Sequence, residues 1–227
     1  TENNYAPALY KGDRISSEQK NTIADQLSKY TGMSKDYWLK SNLRVTGSEY
    51  FAEALRSKGL VIGRLDSRYT GINQNLISQF GSHDPQSAAI SPAYITGFLD
   101  YFHNTLGVRK DLQYTVTAGR REGFEWDWNH KGNKRWNTQA AINTAPNMAR
   151  ALSRDPNMKV LILNGYYDIA TVFYGVEYTI DHLGLTPEIR DHIIMKYYEA
   201  GHMMYTHRPS LIKFKEDVGS FILGQSK

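Results

Sequence analysis

Two residues near the carboxy-terminal end can do chemistry by their type and their setting. Asp168 closes the run Asn164-Gly165-Tyr166-Tyr167-Asp168, and His202 lies within Glu199-Ala200-Gly201-His202-Met203-Met204. An imidazole that takes a proton from a hydroxyl turns a poor nucleophile into an effective one. It needs a carboxylate on its other nitrogen to fix its tautomer and stabilise the imidazolium. Asp168 and His202 would be that acid and that base, with Gly165 and Gly201 allowing a sharp backbone turn beside each. Each also has a plainer reading: an Asp after a strand is commonly a turn former or a helix cap, and a lone His is commonly structural. A metal site is the weaker reading. His202 and His207 miss the i, i+4 spacing of a His-Glu-x-x-His helix, and Glu199 suits a solvated or supporting place in its loop. No metal and no cofactor is expected.

Both groups need elements that deliver them to one edge. Lys159 to Asn164 is a short branched run of the kind found in strands buried on both faces, and His192 to Tyr198 is a second. Helical stretches follow each, from Val172 to Leu183 and from Ser210 to Ile222. Strand, helix, strand, helix at this spacing reads as a parallel βα pair, and functional groups collect beyond the carboxyl ends of such strands. Asp then His, on successive strands, is the back half of the Ser, Asp, His order of α/β-hydrolases.

The preceding residues read as mostly helical. Ser16 or Ser17 caps a helix to about Tyr30 with Gly32 after its end, Ser34 opens a short one, and a third runs from Ser48 to Lys58 before Gly59. Leu60 to Tyr69 reads as extended and Gly71 to Ser91 as loop. Pro92 falls in the first turn of a helix ending near Gly107, and Leu112 to Thr117 alternates like a strand. Gly119 to Trp136 reads as an irregular connection, with Phe124, Trp126, Trp128 and Trp136 suited to packing or to a lid over substrate. A helix from Thr138 to Leu152 should kink at Pro146. The expected organisation is a helical insertion or cap region over 1–155 and a βαβα part of an α/β fold over 156–227.

Composition narrows the class. With 41% hydrophobic and 22% charged residues over 227 positions, the chain can bury a sizeable core and long disorder is not expected. The net charge of +4 is scattered, with Arg120-Arg121 and Lys131 to Arg135 the densest groups, so no nucleic-acid partner is expected. No apolar run approaches the roughly 20 residues needed to cross a bilayer. Zero Cys removes disulfides and thiolate metal sites, and it fits a secreted or periplasmic protein.

Tyr197-Tyr198-Glu199-Ala200-Gly201-His202-Met203 resembles the histidine motif of serine carboxypeptidases, whose core is Ala-Gly-His-Met. Gly165-Tyr166-Tyr167-Asp168 resembles that family's Gly-x-x-Asp turn. Leu43-Arg44-Val45, Val61-Ile62-Gly63-Arg64-Leu65-Asp66 and Arg68-Tyr69-Thr70-Gly71 are similar to the insertion segment of its bacterial branch. The resemblance runs from about Leu27 to Ile222. It implies an α/β-hydrolase fold with a helical insertion, and removal of single carboxy-terminal residues from peptide substrates at acid pH. It makes Asp168 the triad acid and His202 the triad base, and places Met203 in the pocket for the departing residue, where the plainer reading is packing. Tyr205 departs from a Pro common in the family, a change that bears on loop shape and leaving-residue preference.

The family's nucleophile lies in a Gly-Glu-Ser-Tyr-type elbow ahead of the insertion, and no Gly-x-Ser-x-Gly occurs in this sequence. Gly47-Ser48-Glu49-Tyr50 and Gly81-Ser82-His83-Asp84 are the nearest approximations, and both fall within the insertion-like region. The expectation is therefore a carboxy-terminal portion, inactive alone, whose upstream part supplies serine and oxyanion hole. An esterase, acyltransferase or aminopeptidase on the same fold, and a non-catalytic peptide-binding module, stay open.

Overall fold

The computed structural model describes residues 1–108, 111–112, 114–117, 123–125 and 142–225. The expectations for Arg120-Arg121, Lys131 to Arg135, Trp126, Trp128, Trp136 and most of Gly119 to Trp136 fall outside them. Helices and a few short strands make a mixed α/β chain. It divides into two compact units, each drawing on residues from both sides of position 155. The first comprises Thr1–Ala89, Asn164–Val172 and Tyr197–Lys215, and the second Ile90–Leu163, Phe173–Lys196 and Glu216–Lys227.

The first unit opens with four helices: α1 (Tyr5–Lys11), α2 (Ser17–Thr31), α3 (Lys35–Lys40) and α4 (Gly47–Glu53). Their ends are set locally. The Ser16 hydroxyl accepts from the Gln19 amide at 3.1 Å to start α2, and Gly32, at φ 75°, closes it. The Ser34 hydroxyl accepts from the Tyr37 amide to start α3. At α4, Thr46 and Glu49 form a reciprocal capping box, the Glu49 carboxylate accepting from the Thr46 amide at 2.7 Å. Ala8, Ile23, Ala24, Met33, Trp38 and Leu43 form the buried core between these helices. Strands β1 (Leu60–Ile62) and β2 (Thr70–Ile72) pair antiparallel, with Val61 opposite Gly71. The extended run expected over Leu60 to Tyr69 is thus shorter: the chain leaves β1 at Gly63, and the Gly63 amide donates to the Tyr69 carbonyl across a compact loop. The third helix also stops early, at Glu53, and a single turn, Arg56–Lys58, leads to Gly59.

Helix α5 (Pro85–Asp100) starts seven residues before Pro92, which lies inside it, and a π-helical turn (Tyr101–Thr105) continues it. Asp84 explains the earlier start, because its carboxylate accepts from the Ser87 amide as an N-cap and Pro85 follows in the first turn. In the second unit, the described residues of Leu112 to Thr117 form no strand. Tyr114 instead packs its ring against Phe98 and Phe102. Helix α6 (Ala145–Arg154) has Pro146 in its first turn, where a missing N–H costs nothing, so no kink arises.

Strands β3 (Val160–Gly165) and β4 (Ile193–Tyr198) pair with each other. The Val160 amide donates to the His192 carbonyl at one end and the Tyr166 amide to the Tyr198 carbonyl just past the other, so the strands run parallel. Helix α7 (Phe173–Asp181) and the short α8 (Pro187–Arg190) connect them, and α9 (Arg208–Ile222) follows β4. Leu152, Ile180 and Ile193 are the buried centre of the second unit, with Val160, Ile162, Val176 and Met195 packed around them. No helix among the described residues is long and apolar enough to cross a membrane.

Candidate active site

The parallel pairing of β3 and β4 releases both chains at the same edge, and the two following loops carry Asp168 and His202. The loops continue to bond past the strands, the Tyr167 amide donating to the Ala200 carbonyl at 3.0 Å. The backbones lie so close that a Cβ on Gly165 would stand 2.3 Å from the Gly201 carbonyl oxygen. Only glycine fits there.

The imidazole of His202 bonds through Nδ1 to Asp168 Oδ2 at 2.9 Å. The Asp168 side chain is 5% exposed and that of His202 43%. Asp168 divides its two oxygens between turn and site. Oδ1 accepts from the amides of Ala170 (2.7 Å) and Thr171 (2.9 Å), folding the residues after the Asp into a turn. Oδ2 takes the Thr171 hydroxyl at 2.6 Å together with the imidazole. One oxygen thus serves the turn, and the other faces the imidazole. Nδ1 is directed at Asp168, and no described residue hydrogen-bonds the other ring nitrogen, Nε2.

Thr171 was not legible as a site residue. Its hydroxyl donates to Asp168 and its oxygen lies 3.2 Å from His202 Nδ1, so it touches both members of the pair. A Thr three residues after an Asp is the one sequence signal for it, and that spacing equally suits an ordinary turn.

A third loop, Gly63 to Tyr69, braces both strand-end loops. The His202 amide donates to the Leu65 carbonyl at 2.6 Å, the Ser67 amide to the Tyr167 carbonyl at 2.9 Å, and the Ile169 amide to the Arg64 carbonyl at 3.1 Å. This loop is fixed in turn by Asp84, whose carboxylate accepts from the amides of Arg64 and Leu65. The Tyr167 hydroxyl donates to Glu199 at 2.8 Å, which, with that carboxylate's charge, raises the phenol above its ordinary value. Glu199 is thus a bracing group between the loops.

Met203 is half-buried directly after His202 and begins a single helical turn, Met204–Thr206; its carbonyl accepts from the Thr206 amide and hydroxyl. Tyr205 is exposed. His207 Nδ1 pairs with the Ser210 hydroxyl at 2.8 Å. Among the described residues no three His, Asp or Glu side chains gather as a metal-binding set. Ser48 lies within α4, and the Ser82 hydroxyl bonds the neighbouring His83 ring; neither occupies a strand-to-helix elbow. No described serine hydrogen-bonds His202.

No family model matches the chain, and no curated protein or solved structure matches it.

Proposed function

We propose that Asp168 and His202 are the acid and base of a serine-type hydrolase built on an α/β-hydrolase sheet. The observation that carries this is the 2.9 Å bond from His202 Nδ1 to a buried carboxylate, at the shared edge of two parallel strands, with Nε2 left available. Within that class, the Ala-Gly-His-Met and Gly-x-x-Asp motifs favour a carboxypeptidase, which removes carboxy-terminal residues from peptides.

The nucleophile is a serine carried by a part of the protein outside these residues. His202 Nε2 takes its hydroxyl proton as the oxygen attacks the scissile carbonyl, while Nδ1–H stays on the imidazole and faces Asp168. The imidazolium then gives the proton to the departing amine. Water repeats the cycle on the acyl-enzyme, with His202 again as base. Asp168 remains a carboxylate throughout. Met203 would line the space for the departing side chain.

The test is fluorophosphonate labelling of the native full-length protein, with mapping of the modified residue and a parallel assay on blocked dipeptides with a free carboxylate. Label on a serine outside residues 1–227, lost in His202→Ala along with ~10⁴-fold or more of the peptidase rate, is the expected result. Label on Ser48 or Ser82 would contradict the external nucleophile. A folded protein that takes no label would sink the hydrolase reading.

A further inference from the structure

Asp66 is among the most deeply buried side chains of the first unit, and its carboxylate is fully engaged. Oδ1 accepts from the Arg68 amide and from Arg68 Nε, both at 3.0 Å. Oδ2 accepts from Arg68 Nη2 at 2.7 Å and from the Gly201 amide at 3.0 Å. Three of these four bonds close a fork within one loop. The fourth crosses 135 residues to the amide immediately before His202.

Arg68 extends the same grip. Its Nη1 donates to the Glu199 carbonyl at 3.0 Å, and its guanidinium lies 4.5 Å from the centre of the Tyr167 ring. Tyr167 belongs to the Asp168 loop and Glu199 to the His202 loop, and they are joined by the phenol bond. One guanidinium thus touches a member of each loop. Its fork and one terminal nitrogen are spent on protein acceptors, so Arg68 is poorly placed to grip a substrate carboxylate.

We propose that Asp66, locked by Arg68, is a positioning residue that holds the Gly201 amide and so sets the approach of His202 to Asp168. The proposal rests on the reading of these two as an acid–base pair. Chemistry explains the residue type. A carboxylate offers only acceptors, and here every one faces a donor; an amide would turn an NH₂ toward either the guanidinium or the Gly201 N–H. Geometry explains the precision. The space beside Gly201 is filled to contact, a Cβ there meeting the Leu65 carbonyl oxygen at 2.2 Å and Asp66 Cβ at 2.4 Å. The Gly201 bond to Asp66 and the His202 bond to Leu65 hold two successive amides, fixing the backbone from which the imidazole reaches Asp168.

The experiment is proton–nitrogen spectroscopy of the histidine rings in the full chain, compared with Asp66→Asn and Arg68→Lys. Asp168→Asn identifies the downfield Nδ1–H resonance of His202 by removing it. Both positioning variants should lose that resonance, or broaden it beyond detection, at temperatures where they are folded, and the Gly201 amide should exchange faster with solvent. Arg68 is 38% exposed against 2% for Asp66, so Arg68→Lys keeps the test open where Asp66→Asn does not fold. An unchanged resonance in a folded variant, even one of lower Tm, makes Asp66 a structural residue only and overturns the proposal. A parent protein that lacks the resonance overturns the Asp168–His202 pair itself, and the clamp with it.

Discussion

The helical cluster around Trp38 and the strand-end loops around His202 belong to the same compact unit but are held by different forces. In the cluster, apolar side chains of neighbouring helices bury one another, and the starts of α2, α3 and α4 are each set by a hydroxyl three residues away. In the loops, the fixing bonds are polar, and those that join one loop to another link residues far apart in the chain. Burial is forgiving of small displacements because it scales with area. A carboxylate with four donors is not, since each bond depends on distance and angle. A cluster of the first kind supplies stability, and an arrangement of the second kind supplies placement.

The sharpest way to break this contrast is Gly201→Ala. The added methyl would meet backbone at 2.2 Å, which no rotamer change relieves, and the cost should be on the order of 3 kcal/mol. Chemical denaturation measures it, and a cost near zero would show that the loops yield as the cluster does. Thr171→Val is a smaller change, removing the hydroxyl at 2.6 Å from Asp168 while keeping the shape. It should cost about 1.5 kcal/mol, because the lost bond is to a carboxylate that stays buried. The same denaturation curves, with the His202 ring resonance as a second readout, would show whether Thr171 matters to stability alone.

The smallest effect belongs to the cluster. Bonds from Thr46 lower the Glu49 carboxyl below its ordinary value of 4.5. A group depressed on folding contributes stability above its unfolded pKa and loses it as pH falls through the folded one. Glu49→Gln should therefore flatten the loss of Tm between pH 5 and the folded value, while Thr46→Ala should cost about 1 kcal/mol at neutral pH. A Tm-against-pH curve of unchanged shape in Glu49→Gln would remove the capping box from the account.

The same contrast decides what could be read from residues alone. The ends of α2 and α3 are visible in Ser16, Gly32 and Ser34 because capping chemistry is local. Strands β3 and β4 stand out through their branched runs, and the Asp-then-His order on successive strands picks out the pair that the structure brings together. The start of α5 is misplaced because two prolines compete for the first turn, and only the bonds made by Asp84 decide between them. Asp66 is quoted within a motif, yet nothing local distinguishes it from a turn aspartate; its decisive bond lies in another part of the chain. Helix α1 escapes notice because its one buried residue, Ala8, gives no periodic signal.

The sequence separations of these contacts also order the assembly of the site. Asp168 and His202 are 34 residues apart, whereas Asp66 and Gly201 are 135 apart. Ring closure over the longer span costs about 1.2 kcal/mol more in chain entropy, from the logarithmic dependence on loop length. Contact between Asp168 and His202 is therefore the less costly of the two to close. A chain that forms the two contacts independently would hold the Asp168–His202 pair more readily than the bond that joins Asp66 to Gly201.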